Sequence, residues 1–104
     1  MNNIHLRSCI GIKDRNDLDI LPYFLDHYHN IGVGRFHITI NYSCIDTLQH
    51  GIDILASYDI IPEYLWEGPY SEKVRMKYLH DMVSSLSNNA WIITADSDEF
   101  HVYP

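Results

Sequence analysis

The segment Asp96-Ser97-Asp98 carries two carboxylates and follows the apolar run 90–95, whose pattern predicts a buried strand. In open parallel sheets, ligands bind outside the carboxyl ends of the strands, and carboxylates there can hold a hard divalent cation against a diphosphate. We therefore expect a hard divalent cation at Asp96 and Asp98, with Asp98 as the direct ligand and Asp96 orienting water or ribose. A solvent-exposed turn is the alternative interpretation, since Asp and Ser are common in turns.

A second charged segment, Lys13-Asp14-Arg15, follows the first apolar run of the chain. In a nucleotide pocket, Asp14 would accept hydrogen bonds from the base or ribose, and Lys13 or Arg15 would pair with phosphate. A solvated charged turn explains the same residues without a ligand. The segment is thus a candidate for nucleotide binding because of its place after a strand.

Aromatic and basic side chains near the third predicted helix also have two interpretations each. Trp66 and Tyr70 would form a stacking wall for a base, whereas packing in the core or in a lid is the simpler role. Arg75 and Lys77 would reach a diphosphate, whereas a solvated helix face with acidic partners is the simpler account.

Apolar periodicity predicts four strands that alternate with three helices. Pro22 falls in the first turn of the first helix and Gly32 caps its end, while Asp46 is the expected N-cap of the second helix. Pro62 predicts an edge position for the third strand. The strands are predicted at 4–12, 33–40, 60–66 and 90–95, and the helices at 21–31, 47–58 and 71–86.

This alternation predicts an α/β fold, because consecutive parallel strands need right-handed crossover connections. We expect an open, mainly parallel, three-layer sheet of about four strands with crossover helices. The length of 104 residues corresponds to one domain, and neither a linker nor a repeat interrupts it. Residues 1–104 are therefore expected to form a single domain.

Charge and cysteine content restrict the classes of partner. The formal net charge of -7 argues against nucleic acid as a partner, because binding a polyanion requires a surplus of Lys and Arg. Cys9 and Cys44 show no disulfide or metal spacing, so we expect free thiols and a cytoplasmic location. The sequence contains no apolar run near the roughly 20 residues of a membrane span.

The chain resembles the family 2-like glycosyltransferases, and the resemblance extends over most of its length. The most specific match is a Trp-Ile strand that leads to an Asp-x-Asp-Glu-Phe sequence, as in one subgroup of the family. The matching features are Lys13-Asp14, the helix at 21–28 with Gly32-Val33, Ser43 with Asp46, Trp91-Ile92, and Asp96-Ser97-Asp98-Glu99-Phe100.

The resemblance implies a GT-A fold, a nucleotide-diphosphate sugar donor linked to UDP or GDP, and Mn²⁺ or Mg²⁺ held by Asp96 and Asp98. It also implies nucleotide-sugar contacts from Lys13, Asp14, Arg15, Asn41 and Asp96. At Asn41 the sequence departs from the family, whose members usually carry an acid there that helps to hold the nucleoside.

Two functions from different classes follow. In the first, the chain is the donor-binding part of a glycosyltransferase that acts on an unknown glycan, lipid or protein acceptor. The family's acceptor region and catalytic base follow the Asp-x-Asp motif, so we expect them beyond Pro104 and expect no transfer by this chain alone. In the second, the chain is a non-catalytic remnant or interaction module that keeps the fold and at most weak nucleotide binding.

Overall fold

The computed structural model describes residues 4–13, 15–86 and 89–96, apart from the side chain of Arg15. Strands and helices alternate through these ranges, as the apolar periodicity predicts. The elements are β1 (Ile4–Ile12), α1 (Arg15–Asn30), β2 (Arg35–Tyr42), α2 (Ile45–Ala56), β3 (Tyr64–Glu67), α3 (Glu72–Val83) and β4 (Trp91–Thr94).

The four strands form one parallel sheet in the order β3-β2-β1-β4. The chain steps from β1 to β2 to β3 in one direction, and β4 then pairs with the opposite side of β1. The strand order therefore reverses between β1 and β4, and such a reversal creates a crevice at the carboxyl ends of the two strands. This topology confirms the predicted α/β fold with an open parallel sheet and crossover helices.

The helices cover both faces of the sheet. Helices α1 and α2 pack against one face, where their leucines meet the apolar side chains of β1 and β2. Helix α3 packs on the other face, against β1 and β2. The larger core includes Leu6, Ile10, Leu21, Phe24, Leu25, Tyr28, Ile38, Ile40 and Leu55, and the smaller core contains Cys9, Trp66, Leu79 and Met82.

Gly51 allows α2 to approach the sheet closely. It is buried inside the helix, and a Cβ atom at this position would lie 2.5 Å from Cδ1 of Ile12. Because Ile12 is itself 1% exposed, its side chain has little room to move away. Close packing explains why a residue with low helix propensity stands in the middle of α2.

Helix α1 begins six residues earlier than its apolar spacing predicts, at Arg15 rather than Leu21. Leu18 is buried and continues the apolar stripe toward the amino end, so the helix is favoured by packing from that point. Pro22 consequently lies inside the helix, and its prediction as a first-turn residue is wrong. The role of Gly32 is confirmed, since its φ of 109° lies in the left-handed region that favours glycine.

Other boundaries also differ from the sequence-based prediction, most of all at β3, which begins at Tyr64 rather than at residue 60. The N-cap of α2 is Cys44 rather than Asp46, which lies in the first turn, where an acid is favourable to the helix dipole. Strand β2 extends through Asn41 to Tyr42, because its pairing with β1 continues to that residue. Strand β3 is an edge strand, as Pro62 predicts.

The apolar sequence of β4 predicts a buried strand, but most of β4 is exposed. The side chains of Trp91 and Ile92 are 75% and 41% exposed. The strand pairs only with β1 in the described sheet, and α3 packs against β1 and β2 instead. Among the described residues, no helix is both long and apolar enough to cross a membrane.

Candidate functional site

A cavity of about 470 Å³ opens at the carboxyl edge of the sheet. Its wall takes residues from β1 and β2, from the start of α1 and α3, and from the end of β4, so it lies at the crevice where the strand order reverses. The lining residues are Cys9, Gly11, Asn16, Asp17, Ile20, Asn41, Tyr70, Arg75 and Asp96.

Asp96 lies in this cavity and forms an ion pair with Arg75. The Arg75 Nη2 donates to Asp96 Oδ1 at 3.1 Å, and its Nη1 donates to Glu72 Oε2 at 3.2 Å. Burial opposes the charge of Arg75, but the two carboxylates outweigh it and raise the pKa of the guanidinium. The side chain of Arg75 is 16% exposed, so its prediction as a solvated helix residue is wrong; the exposed Lys77 does fit that prediction.

Asn41 is held rigidly at the opposite wall. Its amide Nδ2 donates to the carbonyl oxygens of Trp66 at 3.1 Å and Gly68 at 3.0 Å. Gly68 has a φ of 121°, which favours glycine, and its own N–H donates to the Tyr42 carbonyl oxygen. The amide nitrogen of Asn41 therefore faces the β3 end, and the amide oxygen points away from these carbonyls.

Of the other predicted nucleotide contacts, Lys13 is the one whose side chain the structure describes. The backbone N–H of Lys13 donates to Asp17 Oδ2 at 2.7 Å, and Lys13 is not among the described lining residues of the cavity. Asp14, Asp98 and the side chain of Arg15 lie outside the described part of the chain. Of the predicted site residues, the structure brings Asn41 and Asp96 together in one cavity.

Residues at the start of α3 line the cavity, although the simpler account of the sequence gave them no role in ligand binding. Ser71 is the N-cap, and its side chain accepts a hydrogen bond from the N–H of Val74. Tyr70, 54% exposed, donates its hydroxyl to Glu72 next to the cavity. The sequence does contain a feature that indicates this position for Arg75. Ser71 is an N-cap residue that follows β3 closely, and it places the first turn of α3 at the carboxyl edge. Trp66 packs in the smaller core, which confirms its simpler role.

Several oxygen atoms that line this cavity belong to groups that bind hard cations. Asp96, Asp17 and Asn41 offer carboxylate and amide oxygens, which Mg²⁺ and Mn²⁺ prefer over sulfur. Burial raises the pKa of the Cys9 thiol to about 11, so it stays protonated and is a poor ligand. Within the described ranges, no group of three or more His, Cys, Asp or Glu side chains could hold a metal.

Comparison of the chain with protein-family models, with curated proteins and with solved structures gave no match.

Proposed function

We propose that the cavity at the carboxyl edge binds the nucleoside diphosphate of a sugar donor together with a divalent cation. The chain would then be the donor-binding part of a glycosyltransferase. The observation that carries this proposal is the convergence of Asn41, Arg75 and Asp96 on one cavity at the strand-order reversal. Its volume of about 470 Å³ is in the range of small-molecule sites.

Electrostatics favours a cation-assisted mode of binding. A protein of net charge -7 repels a diphosphate at long range, so the site needs local positive charge. Arg75 is the cationic side chain among the described lining residues, and its planar guanidinium suits phosphate oxygens. The first turn of α3 adds the positive end of the helix dipole beside it.

Asp96 and Asp98 are the residues that would hold the cation. A bound divalent ion would stabilise negative charge on the leaving diphosphate. Arg75 orients the Asp96 carboxylate through their ion pair, and Asn41 lies across the cavity with its amide orientation fixed by two carbonyl groups. Tyr70 presents an exposed ring at the rim, where a nucleobase could stack.

Calorimetry with UDP and GDP tests the proposal. We expect binding in the presence of Mn²⁺ or Mg²⁺ that EDTA abolishes. Asp98→Asn and Asp96→Asn should each weaken binding at least tenfold, about 1.4 kcal/mol, because each removes a carboxylate charge from the cation site. Asp19→Asn is the matched control, since Asp19 is an exposed carboxylate on α1 outside the cavity.

Gly11→Val separates loss of binding from loss of folding. Gly11 is a strand residue that lines the cavity, and an added Cβ meets no atom within 4 Å. Valine suits a strand, so we expect the unfolding midpoint to stay the same or rise while nucleotide affinity falls at least tenfold. Equal nucleotide binding with EDTA would refute the cation, and intact binding in all three site variants would refute the site.

A further inference from the structure

A second, larger cavity of about 840 Å³ lies at the opposite, amino-terminal edge of the sheet. Its wall includes His37, which begins the buried part of β2, and Glu63, which precedes β3. The ring of His37 is 3% exposed, and the backbone N–H of Glu63 donates to the Ile38 carbonyl oxygen at 2.8 Å. A buried histidine beside an anchored carboxylate is an unusual feature that the nucleotide site does not use.

His37 connects Glu63 to a second histidine, His5 on β1. Its Nδ1 contacts the Glu63 carboxylate, and its Nε2 lies 2.8 Å from Nδ1 of His5. The ring centroids are 5.1 Å apart and the ring planes differ by 18°. Rings packed face to face would hold these nitrogens farther apart than 2.8 Å, so the two imidazoles lie nearly coplanar and meet end to end.

This geometry indicates a shared proton between the two rings. In such an arrangement the two nitrogens point at each other, whereas metal ligands point at a common third position. Nothing in the described ranges adds further ligands that would complete a metal site. The contact of Glu63 with the other nitrogen of His37 also occurs behind metal-bound histidines, so a metal must be tested directly.

The hydrogen-bonding capacity of the three groups determines how many protons they accept. With both rings neutral, His37 donates to Glu63 and accepts from His5. One added proton at the outer nitrogen of His5 allows the shared proton to move to His37, which then donates to both neighbours. The hydrogen bond between His37 and Glu63 and the hydrogen bond between the two rings both survive this step. A second added proton makes both facing nitrogens donors, so the bond between the rings must break.

Burial and the neighbouring charges both oppose binding of that second proton. Burial, then His37, then Arg35 of β2 lower the pKa of His5. Arg7, on β1, is directed elsewhere and donates to Thr94 and to the Leu79 carbonyl oxygen. Around the cavity, His29 from the end of α1 and Tyr58 and Asp59 after α2 are the other titratable side chains, and α3 and the turn after it contribute Met82, Ser85 and Leu86.

We propose that Glu63, His37 and His5 form a proton-sharing clasp that stores one proton and opens on acidification when it accepts a second. The clasp connects β1, β2 and the segment before β3 at the rim of the larger cavity. Its opening removes the bond from His5 to His37 and leaves the positively charged His37 facing the cavity with Glu63. The amino-terminal edge of the sheet therefore responds to pH independently of the nucleotide site.

Nitrogen NMR of the histidine rings during a pH titration tests the clasp. We expect His5 and His37 to titrate as a coupled pair in two steps, because a hydrogen bond joins their rings. Glu63→Gln keeps an acceptor for His37 but removes the charge. It should move the pH midpoint of the first step of the pair down by about one unit or more.

Glu67→Gln is the matched control, because Glu67 is an exposed carboxylate at the far end of β3. This substitution should leave the pH midpoints of both steps of the histidine pair unchanged. Independent single-step titration of His5 and His37, or no shift in Glu63→Gln, would overturn the proposal. Stoichiometric binding of Zn²⁺ that perturbs both rings and is weakened in Glu63→Gln would replace the clasp by a metal site.

Discussion

Arg75 changes the chemistry available to Asp96. Their ion pair is half exposed on the Asp96 side, so it contributes at most about 1 kcal/mol to stability. Its larger effect is to position opposite charges side by side, a carboxylate for a cation and a guanidinium for a phosphate. At the residue scale, this pair therefore adds little to the stability of the fold, and its main role under the proposed function would be in ligand binding.

The two cysteines should differ strongly in reactivity. Both are free, and Cys9 is buried while Cys44 is exposed. Burial raises the pKa of Cys9 to about 11, whereas hydrogen bonds from the backbone of Thr47 and Asp46 lower the pKa of Cys44. Since the thiolate is the reactive form, we expect iodoacetamide at pH 8 to modify Cys44 first in the native protein.

Peptide mapping by mass spectrometry after timed alkylation would measure the two rates. Unfolding in urea is the internal control, because it should make the two rates similar. Faster modification of Cys9 than of Cys44 in the folded protein would contradict the burial of β1 under α3.

Helix α1 shows how packing overrides a local signal at the scale of the element. Proline inside a helix removes a hydrogen bond to the preceding turn and costs about 3 kcal/mol. The helix nevertheless continues through Pro22, because apolar residues both before and after it in the helix are buried in the larger core. They are Leu18 and Leu21 before Pro22, and Leu25 and Tyr28 after it.

Pro22→Ala should stabilise the protein by about 1 to 3 kcal/mol, because alanine restores the missing N–H donor inside the helix. The urea unfolding midpoint, read with an unchanged slope, measures this effect. Pro69→Ala is the control, since Pro69 lies in the connection between β3 and α3. An unchanged or lower midpoint for Pro22→Ala would indicate that α1 begins at Leu21 after all.

The whole molecule has its polar chemistry at both edges of one sheet. The nucleotide candidate lies at the carboxyl edge and the histidine clasp at the amino-terminal edge, with the covered middle of the sheet between them. Both edges carry titratable groups that folding brings together, so the stability of the whole chain should depend on pH.

Stability should fall as the pH drops below about 6.5. Burial first, then His37 and Arg35, lower the pKa of His5 from 6.5 in the folded state, so the unfolded chain binds its proton more readily. The free energy of unfolding from this group is therefore complete above pH 6.5 and decreases from there down to the lowered pKa.

Urea titrations at a series of pH values would measure this dependence. His5→Gln should flatten the stability curve between about pH 5 and 7 relative to the wild type. His50→Gln, on the exposed side of α2, should leave the slope unchanged. A wild-type curve that rises on acidification through this range would contradict the lowered pKa.

The sequence alone determined the alternating strands and helices, because helix and strand periodicities are local properties of neighbouring residues. It placed β1 at 4–12, Gly32 at the end of α1 and Asp96 after β4, all as observed. It also placed Asn41 and Asp96 near carboxyl ends of strands, which explains why both reach the cavity.

Tertiary structure alone decided which distant side chains meet. Arg75 and Asp96 are 21 residues apart in the chain, and His5 and His37 are 32 apart. Such contacts depend on the strand order, on the face that each helix covers and on the exact register, none of which has a local sequence signal. The exposure of β4 has the same origin, because burial of an apolar strand depends on its neighbours in the sheet.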